Sequence, residues 1–200
     1  MKASIETNAF EMAPAGLLGA RIKEIIDIGT QESQYGDKRQ IIVTFELPDD
    51  HKADGTPHNI NKFYNLSLNE KANLCIDIES IAGKKMNDEE KRTFDFKRLL
   101  GIACMINVQH TLRADMKTKA NITSITPVPK GMTVSPLVGP KVFFDLDEPA
   151  ARQQYQTLPE WQQKFIAKSA EFMGAAPKAN AMQSSEADSM AANFDNDIPF

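Results

Sequence analysis

A period-two alternation of apolar and polar residues recurs in this chain and constrains its fold more than any other feature. In the segment from 38 to 47, the side chains of Ile41, Val43, Phe45 and Leu47 share one face. Such alternation is typical of β-strands that bury one face. The segments predicted as strands are Leu17–Ile28, Lys38–Leu47, Ile60–Leu66, Ile102–His110 and Ala120–Val128. The sequence therefore predicts a mainly β protein.

Two of these strands carry further expectations. Imperfect alternation in the first strand predicts a β-bulge near Glu24–Ile25. In the fourth strand the inward register includes Cys104, and His110 continues it. The inward residues expected there are Ile102, Cys104, Ile106 and Val108. We interpret His110 as structural rather than catalytic.

A helix is expected between the third and fourth strands. Ser67 and Glu70 have the spacing of a capping box, and Gly83 is a plausible end. The apolar stripe between them comprises Leu74, Cys75, Ile78, Ile81 and Ala82. The resulting order is that of an OB-fold, a five-stranded β-barrel with its helix between strands 3 and 4. A generic α+β sheet has the same order, so that alternative stays open.

Composition and periodicity divide the chain into four regions. Residues 1–15 are predicted as a flexible N-terminal arm, and 16–146 as the OB-fold domain. A second capping box, Thr157 to Glu160, predicts that 147–173 forms C-terminal helices packing on the barrel through an apolar stripe. That stripe comprises Leu158, Trp161, Phe165 and Phe172. Residues 174–200 lack sustained periodicity, which predicts a disordered linker with an acidic tip.

The sequence argues against metal-binding, hydrolase, nucleotide-binding and membrane proteins. The two cysteines, Cys75 and Cys104, and the three histidines lack metal-ligand spacing, and no hydrolase or nucleotide-binding motif occurs. No apolar run approaches the ~20 residues of a membrane span. We therefore expect no catalytic residue, no cofactor, no metal and no membrane contact, and a cytoplasmic protein with reduced thiols. The acids at 88–90 are interpreted as a solvated helix start, with Mg²⁺ binding as the alternative.

An aromatic and basic set in the first 146 residues indicates nucleic-acid binding. Phe63 lies on the polar side of its strand, where stacking against bases would explain an exposed ring. Tyr35 occupies the first inter-strand loop, and the last two strands are joined by a basic loop; OB-folds use both loops to bind oligonucleotides. Packing of Phe63 under the C-terminal helix is the alternative. The predicted contact residues are Tyr35, Lys38, Arg39, Lys62, Phe63, Arg113, Lys117 and Lys119.

The last six residues carry a second signal. The sequence Asp195-Asn196-Asp197-Ile198-Pro199-Phe200 resembles the acidic tip of bacterial single-stranded DNA-binding proteins. This resemblance implies that Asp195, Asp197, Ile198, Pro199 and Phe200 bind DNA-processing enzymes. Phe200 would offer a ring and a carboxylate, and Pro199 would limit the entropy lost on docking. Two aspartates give this tip less charge than the family's usual run.

The region from Gly101 to Lys130, with the Leu-Pro-Glu-Trp helix behind it, is similar to small OB-fold single-stranded DNA-binding proteins of bacteriophages. This resemblance implies work on exposed single strands in replication, recombination and repair, in the cytoplasm of a bacterial host. The leading hypothesis is a non-catalytic single-stranded DNA-binding protein with host or phage repair enzymes as tail partners. One alternative is an interaction adaptor that mimics the tip without binding DNA. The other is a Mg²⁺-dependent DNA-processing enzyme.

Overall fold

One long strand organises the sheet of this protein. The computed structural model describes residues 11–33, 36–113 and 116–174. Strand β1 pairs antiparallel with β2 along one part of its length and with β4 along another. The strands are β1 (Gly16–Gln31), β2 (Lys38–His51), β3 (Pro57–Asn65), β4 (Ala103–Leu112), β5 (Thr118–Thr126) and β6 (Val142–Phe144). The hydrogen-bonded order is β3-β2-β1-β4-β5, so β3 and β5 are the two ends of an open antiparallel sheet.

Short helices join and cover these strands. They are α1 (Asn73–Ala82), α2 (Asp88–Arg92), α3 (Ala151–Tyr155), α4 (Glu160–Ile166) and α5 (Ala170–Met173), with a 3₁₀ turn at Phe96–Leu99. The mainly β prediction is confirmed. Helix α1 lies between β3 and β4 in the chain and ends at Gly83, whose φ of +67° gives the left-handed C-cap expected there.

The main core lies on the face of the sheet that α1 covers. Alternate β2 residues, among them Val43 and Phe45, pack there with Ile106 of β4 and Leu74 and Ile78 of α1. All five side chains are buried. The inward register predicted for β4 is confirmed at Cys104, Ile106 and Val108. It is wrong at its two ends, because Ile102 precedes the strand and is 37% exposed, and His110 is also exposed.

The opposite face of β1 and β2 is buried as well. Short β6 pairs parallel with β1, and α3 to α5 cover the sheet beyond it. Ile26 of β1, Ile42 of β2 and Ile166 of α4 are fully buried in this second core. At Gly29 a Cβ atom would lie 2.4 Å from the Cβ atom of Ser169, so α5 docks closely only because residue 29 is glycine.

We call this second face of the sheet the outer face and the residues that cover it, 138–173, the C-terminal segment. Polar groups anchor the C-terminal segment to the outer face. Glu46 of β2 is inaccessible to solvent, lies 3.0 Å from the Lys23 amine, and accepts a 2.6 Å hydrogen bond from the Val138 amide. Burial raises the pKa of the Glu46 carboxyl, but these bonds outweigh it and the pKa is lowered. Gln162 of α4 donates to Glu24 of β1 at 3.3 Å. The β2 residues that alternate with the main core are thus buried by the C-terminal segment.

One local prediction is confirmed and two need correction. The pairing of β1 shifts between Ile22 and Glu24, which confirms the bulge predicted near Glu24–Ile25, and shifts again between Asp27 and Gly29. Neither predicted capping box forms. Helix α1 begins at Asn73, well after Ser67, and the Ser67 hydroxyl accepts a bond from the Asn69 amide instead. Helix α4 begins after Pro159, while the Thr157 hydroxyl donates back to the Gln154 carbonyl. In both cases the hydroxyl caps a turn that precedes the helix.

Candidate nucleic-acid interface

A groove of about 1220 Å³ runs between the two ends of the sheet, and we call it the seam groove. One wall is β3 with the start of β2, the other is β5 with the end of β4, and α1 lies at its base. The Ser80 hydroxyl of α1 donates a 2.6 Å hydrogen bond to the Ile125 carbonyl of β5, which joins the base to one wall. The lining comprises residues 38–40, 61–67, 69, 71–73, 76, 77, 80, 111–113, 119 and 121–125.

The charge of this lining is strongly unbalanced. It contains six basic side chains, Lys38, Arg39, Lys62, Lys71, Arg113 and Lys119. Asp77 is the one carboxylate among the described residues that line the groove. Its Oδ2 atom accepts 2.7 Å hydrogen bonds from both the Lys62 amine and the Tyr64 hydroxyl. The single negative charge of the lining is therefore paired within the groove, and basic side chains outnumber acidic ones along its walls.

The fold gathers most of the predicted contact residues into this one groove. Six of the eight line it, namely Lys38, Arg39, Lys62, Phe63, Arg113 and Lys119. Lys117 is exposed in the turn between β4 and β5, where its carbonyl accepts a 2.9 Å bond from the Arg113 amide. Tyr35 lies outside the described residues. Lys38 and Arg113, which border the two inter-strand loops, therefore line the same groove even though they are about 75 residues apart in the chain.

Phe63 does not present an open ring to this groove. Its ring lies edge to face against Phe165 of α4, with centroids 5.6 Å apart, and it is partly buried at the edge of the second core. The ring of Phe165 in turn meets Trp161 at 6.4 Å. The alternative interpretation, packing beneath the C-terminal helix, describes this geometry better than base stacking does. Tyr64, the other aromatic residue of the lining, is 4% exposed.

Arg39 is held by carboxylates rather than directed to a ligand. Its guanidinium forms a short ion pair with Asp27 of β1, which is buried, and a 2.9 Å ion pair with Asp147. Asp145 lies 3.7 Å away. Burial alone lowers the pKa of Arg39, but the bonds and charges of Asp27 and Asp147 outweigh it and the pKa is raised. This cluster ties β1 and β2 to the segment that follows β6.

Lys62 is also partly engaged. Besides its bond to Asp77, its amine lies 5.2 Å from the centre of the Tyr64 ring. Burial raises the pKa of the Tyr64 hydroxyl, and the negative charge of Asp77 adds to that rise, so this phenol stays protonated and donates to the carboxylate. A phosphate that approaches Lys62 must therefore compete with Asp77.

Sequence reasoning missed the amides of the groove. Five asparagines fall within residues 59–73, and four of them, Asn61, Asn65, Asn69 and Asn73, line the groove with Asn121 of the opposite wall. This local density was the signal available in the sequence. Two exposed aliphatic side chains were also missed, Ile76 at 48% exposure and Leu112 at 64%.

Three other kinds of site were considered from the sequence: a metal site, the acids of α2 and the two cysteines. Among the described residues, no group of three or more His, Cys, Asp or Glu side chains is placed to hold a metal ion. The acids of α2 start that helix, where Asn87 and Glu90 form a reciprocal capping box. Both cysteines are buried thiols, and burial together with the charge of Asp77 raises the pKa of Cys104 to about 12. A thiol with that pKa is a poor nucleophile near neutral pH.

The predicted partner residues Asp195, Asp197, Ile198, Pro199 and Phe200 lie outside the described part of the chain. Within that part, the helices are too short to cross a lipid bilayer. No protein-family model and no curated protein matches this chain.

Proposed function

We propose that this protein binds single-stranded DNA in the seam groove, without catalysis, during DNA replication, recombination and repair. The observation that carries the proposal is the lining of the groove, which contains six basic side chains and one carboxylate, with Arg39 and Lys62 engaged by carboxylates. A groove of this charge can follow a phosphate backbone, and each phosphate neutralised releases counterions.

The arrangement of the sheet supports an OB-fold as the finer description. The β1 strand joins β2-β3 on one side to β4-β5 on the other, and Cα atoms of β3 and β5 approach within 8 Å. Joining those two ends closes a five-stranded barrel with α1 between strands 3 and 4, which is the OB arrangement. In that fold the loops after strands 1 and 4 bind oligonucleotides. Lys38 and Arg113 border those two loops and line the groove.

The covered outer face supports placing the ligand at the seam. OB-folds bind oligonucleotides on the face of strands 2 and 3 as well as with their loops. Here Ile42 of β2 and Phe63 of β3 pack against the C-terminal segment on that face. The free edge of β3, between that covered face and β5, is the part of this surface that stays accessible.

The proposal also includes protein partners, which would bind the C-terminal tip of the chain. Residues Asp195 to Phe200 would bind host or phage enzymes of replication and repair, in the cytoplasm of a bacterial host. The sequence of that tip is the support for this step. Its acids would attract basic partner surfaces, and salt would weaken that attraction.

A titration of labelled oligonucleotides at several salt concentrations tests the function. We expect saturable binding to a single strand, weakening as salt rises, with a duplex of the same length binding less. Recovery of intact oligonucleotide after incubation with Mg²⁺ is expected, because no step of this function cleaves DNA. Absence of binding at low salt would contradict the proposal and favour an adaptor, and Mg²⁺-dependent cleavage would favour a DNA-processing enzyme.

A further inference from the structure

The β3 wall of the seam groove, and its base at α1, carry exposed amide groups. Asn61 of β3, Asn69 of the following turn and Asn73 of α1 are all exposed, and all three line the groove. None of their side chains makes a hydrogen bond to another described residue. By contrast, Asn65 accepts from Gln40 at 3.3 Å, and Asn121 donates to Thr111 at 2.6 Å. Each free amide offers a donor and an acceptor to a ligand.

The described lining offers no aromatic platform for bases. Its two aromatic residues are Phe63, packed against Phe165, and Tyr64, which is buried and bonded to Asp77. The exposed apolar surface of the groove is aliphatic instead, at Ile76 and Leu112. Stacking on aromatic rings is the interaction that makes single-strand binding tolerant of sequence. Base contacts in this groove must therefore depend more on hydrogen bonds to base edges than on aromatic stacking.

Both kinds of polar group in the groove pair with the same edge of a purine. Asparagine amides pair with N6 and N7 of adenine, and lysine or arginine pairs with O6 and N7 of guanine. In an unpaired strand that edge is accessible. We propose that the seam groove recognises the N7 edge of purines through Asn61 and Asn73, so that it prefers purine-bearing single strands. This inference rests on the proposed function and adds a base preference to it.

Replacing adenine by 7-deazaadenine isolates this contact. The analogue keeps the exocyclic amine and the stacking face but lacks the N7 acceptor. Labelled oligonucleotides of equal length carrying adenine, 7-deazaadenine or thymine are titrated against the full chain at one salt concentration. We expect the adenine strand to bind about five- to tenfold more tightly than the 7-deaza strand, the lower range for one specific base contact.

Two asparagine variants assign the effect. Asn61→Ala and Asn73→Ala should each reduce the difference between adenine and 7-deazaadenine strands. Asn59→Ala is the matched control, because Asn59 is an exposed residue of the same strand outside the groove lining and should leave the difference unchanged. Equal binding of the adenine and 7-deaza strands overturns the inference and leaves the proposed function standing. An unchanged difference in both groove variants also overturns it, whereas failure of every strand to bind overturns the function itself.

Discussion

The ring of Phe63 on β3 meets the ring of Phe165 on α4 edge to face, with centroids 5.6 Å apart. This contact fastens the C-terminal segment to the end of the sheet that borders the seam groove. Edge-to-face aromatic pairs contribute about 0.5–1.5 kcal/mol beyond the area they bury. The pair therefore links the stability of the segment to the shape of one groove wall.

Truncation of Phe63 should affect stability before it affects binding. We expect Phe63→Ala to lower the free energy of unfolding by about 2 kcal/mol, less than for a fully buried phenylalanine because the ring is only partly buried. Oligonucleotide affinity measured well below the melting temperature should change little. Thermal melting and a single-strand titration on the same protein separate the two effects. A variant of normal stability with much weaker binding would return Phe63 to the role of a stacking platform.

A double-mutant cycle tests the pairing of the two rings. Phe165→Ala and the Phe63→Ala/Phe165→Ala double variant complete it. We expect the double variant to be less destabilised than the sum of the two single variants, by about 1 kcal/mol. Strict additivity would mean that the ring contact contributes nothing.

Removing charge from the wall opposite β3 should change the salt dependence of binding. We expect Arg113→Gln and Lys119→Gln each to reduce the slope of log affinity against log salt by roughly 0.7, the value for one phosphate contact in a single strand. Titrations at four or more salt concentrations measure that slope. Arg98→Gln and Lys130→Gln are matched controls, since both residues are exposed and lie outside the groove lining. Equal slopes in groove and control variants would remove the seam groove as the DNA site.

Arg39 should behave differently from Arg113 and Lys119. Arg39→Ala leaves the buried Asp27 carboxylate without its ion-pair partner, and we expect it to destabilise the fold by about 2 kcal/mol. The figure lies below that for a fully buried pair because the Arg39 side chain is 27% exposed. Its salt slope should stay close to that of the parent. Asp27→Asn added to Arg39→Ala should recover part of the loss, as judged by denaturant unfolding.

The inner face of the sheet was predictable because one period-two pattern determines it. The outer face was not, since β2 carries Thr44 and Glu46 there, which is the pattern of a solvent-exposed face. Both are buried only because distant residues cover them: Thr44 donates to Glu24, and Glu46 binds Lys23 and the Val138 amide. The local sequence pattern does not reveal that these side chains are buried by residues distant in the chain. The short strand β6 was also missed, because 3 residues are too few to show an alternation and its partner β1 is distant in the sequence.

The lining residues of the groove that lie beside the two inter-strand loops were predictable from the sequence. Basic residues beside the two loops, such as Lys38 and Arg113, were assigned from loop position in the expected topology, and both line the groove. Arg39 follows Lys38 directly in sequence, yet its guanidinium is held by Asp27 and Asp147. Which of two adjacent cations faces a ligand depends on carboxylates more than 100 residues away as well as nearby ones. That information appears only in the folded chain.

The tip at Asp195 to Phe200 gives a prediction that is independent of the groove. Deleting Asp197–Phe200 should abolish capture of host replication and repair enzymes in a pull-down, because the apolar Ile-Pro-Phe group is removed. Single-strand affinity should be unchanged or slightly higher, since an anion that competes for the cationic groove is lost. Phe200→Ala should reproduce the loss of capture, and Phe194→Ala should not. Equal recovery of those enzymes by full-length and truncated proteins would contradict a docking role.

Acid should release the C-terminal segment at Glu171. Its carboxylate on α5 accepts bonds from the Thr30 amide at 2.7 Å and the Thr30 hydroxyl at 2.5 Å. Burial raises the pKa of Glu171, but these bonds outweigh it and the pKa is lowered. A carboxyl with a lowered pKa stabilises the fold fully above its unfolded value of about 4.3, and this contribution disappears as pH falls through the folded value.

Glu171→Gln should therefore melt earlier than the parent at pH 7, and the difference between the two melting temperatures should shrink below about pH 4, once the parent carboxyl is protonated. Melting curves followed by circular dichroism from pH 7 to pH 3 measure this convergence. Glu160→Gln on α4 is the matched control, because Glu160 is exposed and makes no ion pair with any described residue. Since the two Thr30 bonds use both acceptor oxygens of the carboxylate and glutamine has only one, a Glu171→Gln deficit of the same size at pH 3 and pH 7 would show that this contact is not what holds α5 on β1.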